Sequence, residues 1–164
     1  MTERTTNVVP GVSVRPIEAR DATGLEAFHS RLSPESIYRR FFSVHPALTP
    51  REVARFTTVD HHDREALVAV AGDAIVGVAR YDRSSGGGAE VAVVVEDAWQ
   101  RRGVATLLLG ALAVRARAGG IDTFVADTLL ENQRMRDVFS HMGWATKASS
   151  RQGVVRSRFR LEAA

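Results

Sequence analysis

The chain has 164 residues, of which 45% are hydrophobic and 25% charged, with a formal net charge of +3 and no cysteine. That length suits one domain burying about two thirds of the surface its unfolded chain exposes, and the missing cysteine excludes disulfides, thiolate metal sites and a cysteine nucleophile. No apolar run approaches the roughly 18 residues of a membrane-spanning helix, and residues 1–10 lack the basic start and apolar run of a secretory signal. The expectation is a cytoplasmic protein, monomeric or homodimeric, with a flexible tail over 1–11 and a single domain over 12–164.

Val12 to Ile17 predicts a first strand, with Pro16 placing it near an edge or an end. Asp21 to Arg31 predicts a helix with Leu25 and Phe28 inward. Ser33-Pro34-Glu35 opens another, since Ser is a good N-cap and Pro fits the first helical position; Tyr38, Phe41 and Phe42 are its expected apolar side. Thr49-Pro50-Arg51-Glu52 repeats the signal as a capping box, with Val53 and Phe56 inward. Ala66 to Ala71 and Ala74 to Tyr81, joined by Gly72-Asp73, predict a hairpin. Ser84 to Gly88 reads as a flexible loop, and Glu90 to Val95 as a buried strand.

Gln100 to Gly103 is a turn opening a helix from Val104 to Ala118, with Val104, Leu107, Leu108 and Leu112 on one face and Gly119-Gly120 at its end. Ile121 to Ala126 is a strand, Glu131 to Met142 a helix stopped by Gly143, and Trp144 to Ala148 and Val154 to Leu161 the last strands. In the final strand Val155, Ser157, Phe159 and Leu161 alternate with Arg156, Arg158 and Arg160, giving one buried and one cationic face. The order β-α-α-α-β-β-β-α-β-α-β-β describes an α/β fold with a mixed sheet. Its crossover from Glu90 to Ala126 is expected to be right-handed.

Lys147 is the only lysine among 22 basic residues. From Asn132 to Leu161 a basic excess faces the single acid Asp137, which hints at an anionic partner. His61-His62-Asp63 lacks a partner at metal-ligand spacing, so no metal is expected. Neither a serine triad nor a nucleic-acid-binding module is indicated, and the basic strand lacks interleaved surface aromatics.

The chemistry concentrates where Val93-Val94-Val95 runs out through Gln100-Arg101-Arg102-Gly103 into Val104-Ala105-Thr106. A helix start carries unpaired N–H groups and a positive dipole end, so it attracts anions. Gly103 permits close approach of a phosphate, and Ala105 is small. The same pattern also fits a plain strand-to-helix turn, and it is not a Walker loop.

Gln100-x-x-Gly103-x-Ala105 after a strand resembles the acetyl-CoA pyrophosphate motif of the GNAT N-acetyltransferase superfamily. Asn132-x-x-Met135 with His141-Met142-Gly143-Trp144 resembles a later element of the same family. The stretch from Arg31 to Phe42, R-L-S-P-E-S-I-Y-R-R-F-F, resembles bacterial protein-lysine acetyltransferases of the Pat type, as do Asp60 to Val70 and Ala89 to Ala92. The likeness runs over about residues 12 to 162. It implies a GNAT fold, with helices on both faces of a mostly antiparallel sheet and a splayed parallel strand pair holding acetyl-CoA.

On that resemblance, backbone groups near Val93 and Val95 pair with the pantetheine amides. The pyrophosphate rests on N–H groups from Gln100 to Ala105, including Gly103 and Val104, with Arg101, Arg102 and Thr106 adding charge and a hydroxyl; Asn132 completes the cofactor set. Glu90 matches the glutamate that serves as base in Pat-type relatives and is expected at the edge of an apolar groove. The position where many family members have a tyrosine acid is Phe139, so no general acid is named. The implied reaction moves an acetyl group to a primary amine, a protein lysine or else a small-molecule amine. A non-catalytic acyl-CoA sensor is the rival reading.

Overall fold

The computed structural model describes residues 8–161. Among them, β1 (Val12–Pro16), β2 (Arg64–Ala71), β3 (Ala74–Arg83), β4 (Gly88–Val95), β5 (Thr123–Leu129), β6 (Ala145–Arg151) and β7 (Val154–Arg160) form one sheet in the order 1-2-3-4-5-7-6. Every pairing is antiparallel except β4 with β5. Pro16 closes β1, which is an edge strand as its proline required.

The strand alternation feeds two cores. Leu67, Ala69, Val91 and Val93 pack on one face with Leu108, Leu109 and Leu112 of α4 (Val104–Ala118). Ala66, Val68 and Val78 pack on the other with Leu25 and Phe28 of α1 (Ala22–Arg31) and Ile37 of α2 (Pro34–Phe41). Beside them lies α3 (Pro50–Thr57), opened by the Thr49–Glu52 capping box, and α5 (Gln133–His141) follows β5. The crossover β4–α4–β5 thus covers one face and α1–α3 the other, the layered arrangement expected of an α/β domain.

Where boundaries differ from expectation, local chemistry explains them. The strand expected at Ile121–Ala126 runs instead from Thr123 to Leu129. Ile121 belongs to the end of α4: its N–H donates to the Ala116 carbonyl at 2.9 Å, and Gly120 turns there with φ +83°. Gly88, expected in the flexible loop, begins β4 opposite Thr123, and its carbonyl accepts from the Ser84 N–H. In α2 the buried face is Ser36 and Ile37, while Tyr38 and Phe42 are exposed. Asp97 causes that rotation by accepting from the Ser33 N–H, the Ser33 hydroxyl and the Ser36 hydroxyl. Of the segment expected as a tail, residues 1–7 lie outside the described part, and Val9 is buried in the α4-side core. On the long helix Leu107 is only half-buried, and Leu109 takes the inward place.

Two details hold α4 in place. Gly77 of β3 faces the helix so closely that a Cβ would stand 3.0 Å from Leu108 Cδ1 and 3.2 Å from Val104 Cγ1. At the other end of the helix, the fully buried carboxylate of Glu65 accepts from Arg115 Nε at 2.8 Å and from the Ala66 N–H at 2.9 Å, with His61 Nδ1 at 2.7 Å.

Candidate active site

β4 pairs with β3 from Ala89 to Val95, but with β5 only at Gly88, Ala89 and Glu90. Beyond Glu90 the parallel strands part. The lateral direction of each amide follows from the flanking bonds. Glu96 N–H donates to the Val76 carbonyl on the β3 side, so the amides of Val91, Val93 and Val95 turn toward β5. At the ends of β5, the Asp122 carbonyl accepts from the Leu161 N–H and the Leu130 N–H donates to the Gly153 carbonyl, both on the β7 side, so Asp127 and Leu129 turn toward β4. The Val95 carbonyl is met by Gln100 Nε2 and the Leu129 carbonyl by the Asn132 N–H and Arg136, while the main-chain groups of Val93 and Asp127 edge a gap from which the ladder partner has moved away, and such groups demand a substitute.

The gap opens into a cleft of about 380 Å³. Its floor is Val91 to Val95, and its far wall is Ala126, Asp127 and Thr128 of β5. At one end stands the start of α4. Gly103 caps this helix at φ +87° and Arg101 precedes it at φ +62°. Leu107 N–H takes the Gly103 carbonyl, so the N–H groups of Val104, Ala105 and Thr106 stand ahead of the helical ladder. A Cβ on Gly103 would meet only Val9 Cγ2, at an ordinary 3.7 Å. Glycine is needed here for its left-handed backbone rather than for space.

The structure brings Val93, Val95, Gln100, Arg101, Gly103, Val104, Ala105, Thr106 and Asn132 together on the walls of this cleft. Three of the expected contacts take a different form. Gln100 is committed internally: its Nε2 donates to the Val95 carbonyl at 2.9 Å and to Ser36 Oγ at 3.2 Å, and its Oε1 accepts from Arg134 at 2.8 Å. Its own N–H goes to Asp97 at 3.3 Å. Gln100 thus latches the turn and orients Arg134, leaving anion contact to the residues after it. Arg102 is exposed and stacks over Trp99 at 4.9 Å instead of lining the cleft. Asn132 is the buried N-cap of α5, its Oδ1 accepting from Met135 N–H at 3.2 Å.

Asp97 ties α2 to the same turn. Burial works against its charge, but hydrogen bonds from Ser33 and Ser36 outweigh it and hold the carboxyl below its usual range. Ser36, Arg39, Arg40 and Arg134 also line the cleft and were not singled out from the sequence. The signal for Arg134 was its place in the first turn of a helix facing the phosphate end. The others come from α2, whose inward face was misread.

Where β4 and β5 part, Glu90 is exposed and lies beside a second cavity of about 210 Å³. Its surroundings are mixed, Phe42, Val91, Ala92 and Val125 lining the cavity together with Arg40, Arg80, Asp82, Asp127 and Arg156. Arg156 of β7 donates to Glu90 at 3.4 Å and to both oxygens of Asp127 at 3.0 and 3.2 Å. Asp127 lines both cavities, and it was missed because the strand was ended at Ala126. Phe139 is buried and stacks on Phe159 with centroids 4.5 Å apart. Neither tyrosine replaces it as an acid. Tyr81 is buried and donates to the His62 carbonyl, and burial raises its phenol above the ordinary value; Tyr38 is exposed and away from the cleft. Among the described residues no group of side chains could hold a metal ion, and no helix is long and apolar enough to cross a membrane.

A splayed parallel pair that offers main-chain groups along its gap and a bare helix start at one end defines an acyl-carrier site of the acetyltransferase kind. The chain matches the Acetyltransferase (GNAT) family over residues 32–144, more than half its length, and it belongs to that family. It is 35% identical over 115 residues, 68% of the chain, to the acetyltransferase Pat of Mycolicibacterium smegmatis. It spans only 34% of that relative's length. Its structure is similar to the GNAT domain of S. lividans PAT, with a TM-score of 0.87, 42% identity, and 92% of this chain and 90% of that one covered. The yncA protein of Salmonella typhimurium, solved with its cofactor acetyl-CoA, has the same fold at a TM-score of 0.75 and 17% identity, covering 94% and 96% of the two chains.

GNAT acetyltransferases use acetyl-CoA, and the residues present fit it. The open edges of β4 and β5 suit the amides of the pantetheine arm, and the start of α4 with Arg101 and Arg134 suits the pyrophosphate. Thr128 Oγ1 on the cleft wall is buried without a partner among the described residues, which leaves one more polar group for a ligand to satisfy.

Proposed function

We propose that the chain transfers the acetyl group of acetyl-CoA to the side-chain amine of a protein lysine, with Glu90 as base. The observation that carries the base is its position, at the last paired residue before β4 and β5 separate. The likeness to Pat proteins supports the lysine acceptor. The exposure of Glu90 suits it too, because a lysine on a folded protein must reach the site from outside. The reading carries with it a cytoplasmic location, where acetyl-CoA is made. It also keeps one catalytic domain over 12–164, against which Val9 of the preceding segment packs.

Bound acetyl-CoA supplies the thioester carbonyl that the amine attacks. An amine of pKa about 10.4 arrives largely protonated, so a carboxylate must take that proton, directly or through a water. Glu90 performs this step, and Arg156 fixes it beside Asp127. N–H groups of the open β4 edge are the donors available to an oxyanion. With Phe139 in the tyrosine position, the leaving thiolate takes its proton from water; a thiol pKa of about 8.5 makes it a tolerable leaving group.

Incubation with radiolabelled acetyl-CoA and separated protein and small-molecule fractions of a bacterial lysate tests the acceptor. Label is expected on protein, and efficient turnover confined to small amines would replace this reading. Glu90→Gln is expected to keep acetyl-CoA affinity while turnover falls by roughly 10²–10⁴. Raising the pH should partly rescue it, since more amine is then neutral. Near wild-type turnover at neutral pH would move the base elsewhere.

A further inference from the structure

Two arginines at the parting of the strands have no use in the reaction so far. Arg80 of β3 lies opposite Ala92 of β4 and is only 8% exposed. Its guanidinium sits 4.4 Å over the Phe56 ring, with a long 3.4 Å bond to the Phe56 carbonyl. Arg40 of α2 is half-buried, 4.7 Å over the Phe41 ring. Neither forms a salt bridge among the described residues. The nearby carboxylate of Asp82 is engaged by Arg64 at 2.9 Å, and Glu90 and Asp127 share Arg156. Burial, then the neighbouring charge of Arg40, pushes Arg80 down to about 9, so it stays protonated at neutral pH.

Asp82 offsets part of the charge of both arginines from a distance, but a buried cation with no ion pair of its own is costly, and a further anion would relieve it. Both arginines line the 210 Å³ cavity, and Arg40 also lines the acetyl-CoA cleft, so they stand where the two meet. On the acetyl-transfer reading, the phosphates lie at α4 and the arm follows β4 back from Val95. Four residues of strand span about 13 Å, which brings the reacting end to Val91 and Ala92, across from Arg80.

We propose that Arg40 and Arg80 form a carboxylate subsite beside the reacting carbonyl, so that one of the two substrates carries a carboxylate near its reacting atom. The fork of a guanidinium matches a carboxylate with two parallel bonds, and two forks at one cavity select for it over a neutral group. The carboxylate belongs either to the amine acceptor, as an acidic neighbour of the lysine or an α-carboxylate, or to the acyl chain, as the far end of a dicarboxylic acyl group. This rests on the acetyl-transfer reading for its position, but not for the binding of the anion itself.

The test has two substrate arms and one binding arm. Catalytic efficiency is compared for lysine against 1,5-diaminopentane, and for matched lysine peptides with Glu or Gln beside the acceptor. The donor arm compares succinyl-CoA with acetyl-CoA. A preference of at least ten-fold for the carboxylate is expected in one arm, and the arm that shows it identifies the source. Arg80→Gln should erase that preference and retain acetyl-CoA affinity, while Arg80→Lys should keep part of it.

Independently, calorimetry with glutarate on the unliganded chain should show binding that Arg80→Gln and Arg40→Gln each abolish. Should Arg80→Gln not fold, Arg40→Gln gives the same reading. An active enzyme without preference in either arm, or an undiminished preference in both variants, overturns the subsite and leaves acetyl transfer standing. Failure to bind acetyl-CoA or to acetylate any amine overturns the acetyl-transfer reading, with glutarate binding then judging the subsite alone.

Discussion

The two edges of β4 behave as different materials. Toward β3 the strand is paired from Ala89 to Val95 and backed by packed side chains on both faces of the sheet. Toward β5 it is paired through Glu90 and then exposes its main chain to a cleft. The same residues serve both purposes because side chains point up and down while amides point sideways. Burial of Val91, Val93 and Val95 stabilises the domain, while the main-chain groups of Val93, past the last β4–β5 pair, face the cleft. A sheet can thus carry a binding site in its plane without giving up its core.

The sharpest way to break this division is to press on the closed side. Gly77→Ala puts a methyl 3.0 Å from Leu108 Cδ1. The overpacking should cost about 1–3 kcal/mol of stability, read by urea denaturation. The same methyl stands 3.2 Å from Val104 Cγ1 at the start of α4, so acetyl-CoA affinity measured well below the transition should also fall, and unchanged affinity would show that the two edges are independent.

Gly103→Val disturbs the open side, placing a branched residue at φ +87° ahead of the unpaired N–H groups. At least a ten-fold loss of acetyl-CoA affinity by calorimetry is expected with the fold intact, and unchanged affinity would remove the turn from the site.

Asp21→Asn sharpens the closed side further. Arg15 holds the Asp21 carboxyl below its usual range through paired bonds of 2.7 and 2.8 Å, and Asp21 is 8% exposed. The folded value being depressed, the pair's stabilisation is present above the unfolded value of about 3.9 and fades as pH falls through the folded one. The variant should lose about 1 kcal/mol at pH 7, with the difference from wild type shrinking below pH 4 in thermal melts. A constant difference across that range would assign the loss to packing. Phe139→Tyr should have the smallest effect, a turnover within about twofold, since water already serves the thiolate; a large gain would show that the missing acid limits the rate.

The sequence was most legible where one rule decided the outcome. Capping chemistry at Ser33 and Thr49, the hairpin at Gly72 and the glycine turn that opens a helix at Val104 all appear where local residue types demand them. Legibility failed where a residue served the cleft. Asp127 and Thr128 extend β5 although they are polar, because β7 pairs with them at Arg156 and Val155. Tyr38 and Phe42 look like core and are exposed, Phe42 beside the 210 Å³ cavity. Gln100 looked like a ligand contact and is a latch, which only its distances to Val95, Ser36 and Arg134 reveal. The parting of β4 from β5 has no signature in periodicity, since the inward valines continue unbroken through it; the resemblance supplied it.

The buried Glu65 has a reach beyond its own surroundings. It grips Arg115 in the last turn of α4, eleven residues and about 16 Å from the helix start at Val104. A rigid rod clamped at its tail keeps its bearing at the tip. The direction of the N–H groups at the front of α4 is therefore influenced by a carboxylate far from them. The packed faces of Leu108, Leu109 and Leu112 keep the helix from rolling, and the Glu65–Arg115 pair adds a fixed point at its tail. The bearing of the helix start is thus set in part by residues that lie outside the cleft.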